Sequence, residues 1–212
     1  MAYWTEIAQE RRDIADLLEG LTPEQWETPS LCSRWTVREL TAHLVVPFHV
    51  SLRQFGVAMV RSRGSFDRAN RAFTAAQARR PVADLVADYR AHAQSRFVPP
   101  GLPPVTPLAE VLLHGQDLRI PLGINDTRDP QRWVPVLDFL VGPKARRGFV
   151  PARLPALEFI ATDVDWHHGA AASPQALVTG PAYAIALALT RRQPGVDALD
   201  GPGVGELRAW SW

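Results

Sequence analysis

Helix start and stop signals parcel the first two-thirds of this chain and leave it little choice but a helical arrangement. Thr22-Pro23, Thr106-Pro107 and Asp129-Pro130 each place a capping side chain before a proline. The fixed φ and missing N–H of proline suit the first position of a helix. Thr36-Val37-Arg38-Glu39 is a capping box, in which the Thr hydroxyl accepts from the third amide and Glu39 reaches back to the cap. Gly20 and Gly142-Pro143 are stops. Between these marks the apolar residues recur at helical spacing. Trp4, Ile7, Ala8, Ile14, Ala15 and Leu18 do so over residues 3–18, and Leu85, Val86, Tyr89 and Ala93 within residues 82–97. Each helix must bury its stripe against another, which predicts a helical bundle.

The helix opening at about Val37 carries Leu40, His43 and Leu44, and Pro47 is expected to kink it before helix resumes through Leu52, Phe55 and Met59. Residues 61–80 read as loop with some helix, and residues 99–107 as a proline-rich connection. Thr106-Pro107 opens a helix to about Pro121, and Asp129-Pro130 another that Gly142-Pro143 ends.

After Lys144 the pattern changes. Residues 157–166 mix β-formers in near alternation and predict a strand, residues 176–179 a second, and residues 182–192 an apolar helix. The tail from Gly201 is expected to add one short strand. The fold class is therefore mainly α with a small α+β part: a helical domain over residues 1–141 and a small α+β domain over residues 150–212.

Composition narrows the function. With 23 Lys+Arg against 22 Asp+Glu the net charge is +1, which argues against a nucleic-acid partner, since phosphate binding needs concentrated cationic charge. An apolar share of 46% with 21% charged residues supplies a real core. Of the basic residues only Lys144 is Lys, a bias that GC-rich coding produces. The single Cys32 forms no internal disulfide. No signal-peptide core and no apolar run of about 18 residues occurs, so a soluble, cytoplasmic protein without a membrane partner is expected.

Glu110 and His114, four apart on a helix, project from one face and suit a divalent metal whose third ligand comes from elsewhere. His43 lies in an apolar stretch of another helix, and facing helices of a bundle bring such residues together. Asp117, one turn beyond His114, either orients that imidazole or solvates the helix end. Asp163, Asp165, His167 and His168 look like a ligand cluster, but adjacent residues of a strand face opposite ways, and a turn with solvated imidazoles is the expectation there. Cys32 reads as a tolerated loop thiol, and no glycine-rich phosphate cradle is present.

Four blocks, in order, carry a family resemblance. Trp26-Glu-Thr-Pro-Ser-Leu-Cys-Ser-Arg-Trp-Thr-Val-Arg-Glu-Leu-Thr-Ala-His43-Leu resembles the opening block of the mycothiol-dependent maleylpyruvate isomerase family, of the DinB-like metalloenzyme superfamily. Glu110-Val-Leu-Leu-His114-Gly-Gln-Asp-Leu-Arg resembles its second block, and Ala161–Trp166 and Gly180–Arg192 two stretches of its C-terminal domain. The resemblance implies a four-helix bundle holding a divalent metal, usually zinc, on His43, Glu110 and His114, with water in the open positions. It also implies mycothiol as thiol cofactor, bound as a metal-stabilised thiolate, and Arg192, with Arg191 beside it, as a catalytic and cofactor-binding arginine that holds an anionic ligand.

On that resemblance the expected activity is an isomerase or S-transferase acting on a small electrophile with a low-molecular-weight thiol, in an actinobacterial source. A ligand-binding accessory protein of the same fold, and a hydrolase using a metal-activated water, are the alternatives. Substrate and oligomeric state are open at this point.

Overall fold

The computed structural model describes residues 3–32, 35–124, 128–150, 153–169 and 174–211. The chain divides into two compact units, Met1–Pro99 with Glu110–Asn125, and Pro100–Ala109 with Asp126–Trp212. Among the described residues the fold is mainly helical with one small sheet, as the sequence patterning predicts.

The first unit is built from helices α1 (Tyr3–Glu19), α2 (Pro23–Trp26), α3 (Val37–His49), α4 (Leu52–Arg61), α5 (Phe66–Gln77) and α6 (Val82–Ala91). It also takes the part of α7 (Thr106–Arg119) from Glu110 onward. Its core draws Ile14 and Leu18 from α1, Leu40 and Val45 from α3, Leu85 and Tyr89 from α6, and Leu118 from α7. Those four helices are the bundle. Truncating one such buried Leu to Ala costs about 2–5 kcal/mol, so each stripe is a substantial share of the stability.

The start signals act as their chemistry requires. Thr36 accepts from the Glu39 amide at 3.3 Å while the Glu39 carboxylate accepts from the Thr36 amide at 3.0 Å. Pro47 lies inside α3, which ends two residues later at His49, and Ser51 caps α4 with a further box through Gln54. Residues 61–80, read as loop with some helix, contain the twelve-residue α5, capped by Ser65. Only Ala69 and Thr74 of α5 are buried, and α4, the helix expected through Leu52, Phe55 and Met59, buries nothing, so little of either helix lies in the core. Helix α6 stops well short of Phe97. The Arg11 guanidinium reaches from α1 to the carbonyls of His92, Ala93 and Ser95, at 3.3, 3.2 and 2.8 Å, and satisfies the turn that ends it.

The second unit contains a 3₁₀ turn (Pro130–Trp133), α8 (Val134–Val141), β1 (Glu158–Ala161), β2 (His167–His168), β3 (Leu177–Gly180), α9 (Ala182–Leu189), α10 (Gln193–Asp197) and α11 (Val204–Ser211). The sheet order is β2-β1-β3, with Phe159 opposite His168 in the antiparallel pair and opposite Val178 in the parallel pair. The predicted strand over residues 157–166 is β1 alone, followed by a bend. His167 and His168 are strand residues rather than a turn. The tail from Gly201 forms helix α11, not a strand, and only a bridge between Asp200 and Thr179 adds to the sheet. Helix α9 is buried along almost its whole length, and its alanines let α10 approach closely. A Cβ on Gly195 would meet Leu187 Cβ at 2.5 Å, which only glycine avoids.

Candidate metal centre

His43 lies near the middle of α3, one turn beyond the box that starts the helix. Its ring contacts Trp35 at 4.7 Å between centroids and meets the ring of His114 edge-on at 5.3 Å. Burial, reinforced by the charge on His114, pushes the His43 imidazolium down to about pKa 4, so this ring is neutral near pH 7. Its Nδ1 is buried and makes no hydrogen bond among the described residues.

Glu110 and His114 share one face of α7, as their spacing predicts. His114 Nε2 is 3.1 Å from Glu110 Oε2. His114 Nδ1 is 2.9 Å from Oδ2 of Asp117, whose side chain is wholly buried. Burial opposes charge on His114, but the Cys32 sulfur, Asp117 and Glu110 around the ring outweigh it and hold the pKa well above the usual imidazole value. Asp117 is thus the orienting partner of the imidazole, the first of its two sequence readings.

His43, Glu110 and His114 each offer a ligand atom, and these atoms lie within 4.8 Å of one another. The donor set fits a divalent metal. It combines two imidazoles and one carboxylate, and the orphaned Nδ1 of His43 is a buried polar group that lacks a partner.

Sequence reasoning missed Cys32. Its Sγ lies 3.4 Å from Asp117 Oδ2 and 3.8 Å from His114 Nδ1. The loop before α3 is closed on itself and onto α7, which carries the sulfur there. Ser30 Oγ donates to the Trp35 carbonyl at 2.7 Å, the Val37 amide to the Thr28 carbonyl at 2.9 Å, and the Leu31 amide to the Asp117 carbonyl at 3.2 Å. No sequence pattern announces those bonds.

Below the site, Arg119 and Glu10 form an ion pair of 2.9 Å with each side chain 1% exposed. A Cβ on Gly115 would stand 2.4 Å from Arg119 Nη1, so the glycine leaves room for the guanidinium.

In the second unit Arg191 is exposed and adopts a left-handed backbone at φ 61°, and Arg192 donates to the Thr190 carbonyl at 2.8 Å where α10 begins. Asp163 caps α9 by accepting from the Ala182 amide at 2.8 Å. Among the described residues the two groups of His, Cys, Asp and Glu close enough to share a cation both lie in the first unit. No helix of the described residues is long and apolar enough to cross a membrane.

Residues 7–119 match the mycothiol maleylpyruvate isomerase N-terminal domain family. That span runs from within α1 to the end of α7 and includes both candidate metal-ligand groups. No curated protein and no solved structure matches the chain. The match takes in more than half of the 212 residues, and the chain belongs to that family.

Proposed function

We propose that this member of the mycothiol maleylpyruvate isomerase N-terminal domain family holds one divalent metal, zinc by preference, on His43, Glu110 and His114. In this reading it is an isomerase or S-transferase that joins a low-molecular-weight thiol, mycothiol, to a small electrophile. The observation that carries the reading is the gathering of the three ligand atoms within 4.8 Å in the helical unit. A divalent cation bound there would act as a Lewis acid and lower the pKa of a thiol beside it, supplying a nucleophile at neutral pH.

The chain's own residues prepare that chemistry. His43 is neutral down to about pH 4, so its lone pair is available without competition from a proton. Asp117 accepts the Nδ1 proton of His114, which leaves Nε2 turned toward Glu110 as the donor. Once such an ion displaced the second proton of His114, one carboxylate and two neutral imidazoles would leave it one net positive charge, which favours an anionic ligand such as thiolate over a neutral one. The Trp35 ring lies against His43 and covers one side of that imidazole. Arg192, with Arg191, is the proposed holder of the anionic end of the cofactor or substrate, since a guanidinium fork pairs with carboxylate in two bonds.

The test is the metal dependence of thiol binding. Calorimetry with mycothiol should show binding to the metal-loaded chain and none after chelation. Equal binding with and without metal would instead identify a ligand-binding accessory protein.

A further inference from the structure

The opposite end of the His114 ring gathers a second set of ligand atoms. Cys32 Sγ lies 3.8 Å from Nδ1 and 3.4 Å from Asp117 Oδ2, and Nδ1 to Oδ2 is 2.9 Å. In a thiol–imidazole–carboxylate relay the thiol and the carboxylate sit on different ring nitrogens, so that a proton passes through the ring. Here both meet at Nδ1, while Nε2 faces Glu110. Such a ring relays nothing between them; the three atoms converge on one point instead.

Their spacing suits a shared cation. Ligand atoms held about 2.0–2.3 Å from one zinc ion stand about 3–4 Å from one another. Charge suits it too. A thiolate and a carboxylate cancel a divalent ion, and a neutral assembly is what burial demands where Asp117 is fully enclosed and His114 is 8% exposed. Sulfur among the donors selects for thiophilic metals, in contrast to the nitrogen and oxygen donors of the His43 set.

We propose that Cys32, His114 and Asp117 form a second cation site, selective for thiophilic ions such as zinc and cadmium, which shares only the His114 ring with the His43 set. On entry of the ion the thiol proton and the Nδ1 proton pass to solvent, and no electrons are exchanged. The site goes beyond the thiol-using reading and does not depend on it.

Cadmium titration of the chelator-stripped full chain tests this, because Cys32 is its only cysteine and any thiolate-to-metal charge-transfer band in the ultraviolet reports that sulfur alone. The band should appear in the unmodified chain and in His43→Ala, and be lost in Cys32→Ser. Cadmium should also slow iodoacetamide alkylation of Cys32 about tenfold once the site is nine-tenths filled. Saturation without a band overturns the proposal. A band that vanishes in His43→Ala assigns the sulfur to the other set and overturns it equally. Should Cys32→Ser fail to fold, alkylation protection in the unmodified chain and in His43→Ala decides alone. Loss of zinc from His43→Ala with the cadmium band intact would bear only on the His43 set, so the two readings fail separately.

Discussion

Glu10 of α1 and Arg119 of α7 are joined by a 2.9 Å ion pair from which solvent is almost wholly excluded. A charge in that position depends on its partner, because neither group can turn to water instead. Glu10→Leu should therefore destabilise the chain by about 3–5 kcal/mol, the range for stranding one member of a buried pair. Thermal unfolding followed by circular dichroism measures this, at about 2–4 °C per kcal/mol for a chain of this size. Gly115→Ala should act in the same direction, by pushing the guanidinium out of its place.

Metal content should follow the three proposed ligands. His43→Ala and Glu110→Gln should each lower the zinc retained after gentle purification by about one ion per chain, leaving at most what the Cys32 set holds, and His114→Ala, which removes the shared ring, should leave less than about a tenth of an ion per chain. Elemental analysis is the readout, with circular dichroism to show that the helices persist. Full zinc content in all three variants would refute the assignment.

Asp117→Asn keeps the size of the side chain but removes the charge that accepts the His114 Nδ1 proton. Metal affinity should fall by about 10–100-fold, the usual consequence of losing an orienting carboxylate. Competition against a chromogenic chelator gives the number. An affinity equal to that of the unmodified chain would show that Asp117 orients nothing.

Asp88 on α6 gives a pH-dependent expectation. Burial raises its carboxyl pKa, but hydrogen bonds and charge from Arg80, at 2.7 Å, and His49 outweigh that and hold it below the ordinary value. A depressed carboxylate stabilises the fold above its unfolded pKa of about 3.9, and that contribution is lost as pH falls through the lower folded value. Asp88→Asn should thus cost about 1.5–3 kcal/mol at pH 7, as for hydrogen bonds to a charged group, and progressively less below about pH 4. Urea titrations of both chains across that range provide the check, and a difference that does not shrink in acid would contradict it.

The legible parts of the molecule are those set by local chemistry. The box at Thr36 and Glu39 starts the helix that carries His43, and the four-residue step from Glu110 to His114 puts both on one face. Where the outcome depends on distant groups, the sequence is silent. The end of α6 is decided by a guanidinium about eighty residues earlier, and the place of Cys32 by loop bonds to Trp35 and α7. Helix α4 is legible through Leu52, Phe55 and Met59, whereas the bounds of α5 are not, since its polar residues and scattered alanines read equally as loop. At residues 201–203 two glycines and a proline read as an approach to a strand, yet they form the turn into α11.

Helix α7 carries Glu110, His114 and Asp117 on successive turns and then Arg119. One added residue between Asp117 and Arg119 would rotate the guanidinium about 100° away from Glu10 while leaving the upstream side chains in phase. The stretch from Glu110 to Arg119 is therefore a fixed-length ruler. A length-altering mutation there would part the anchoring pair from the ligand residues.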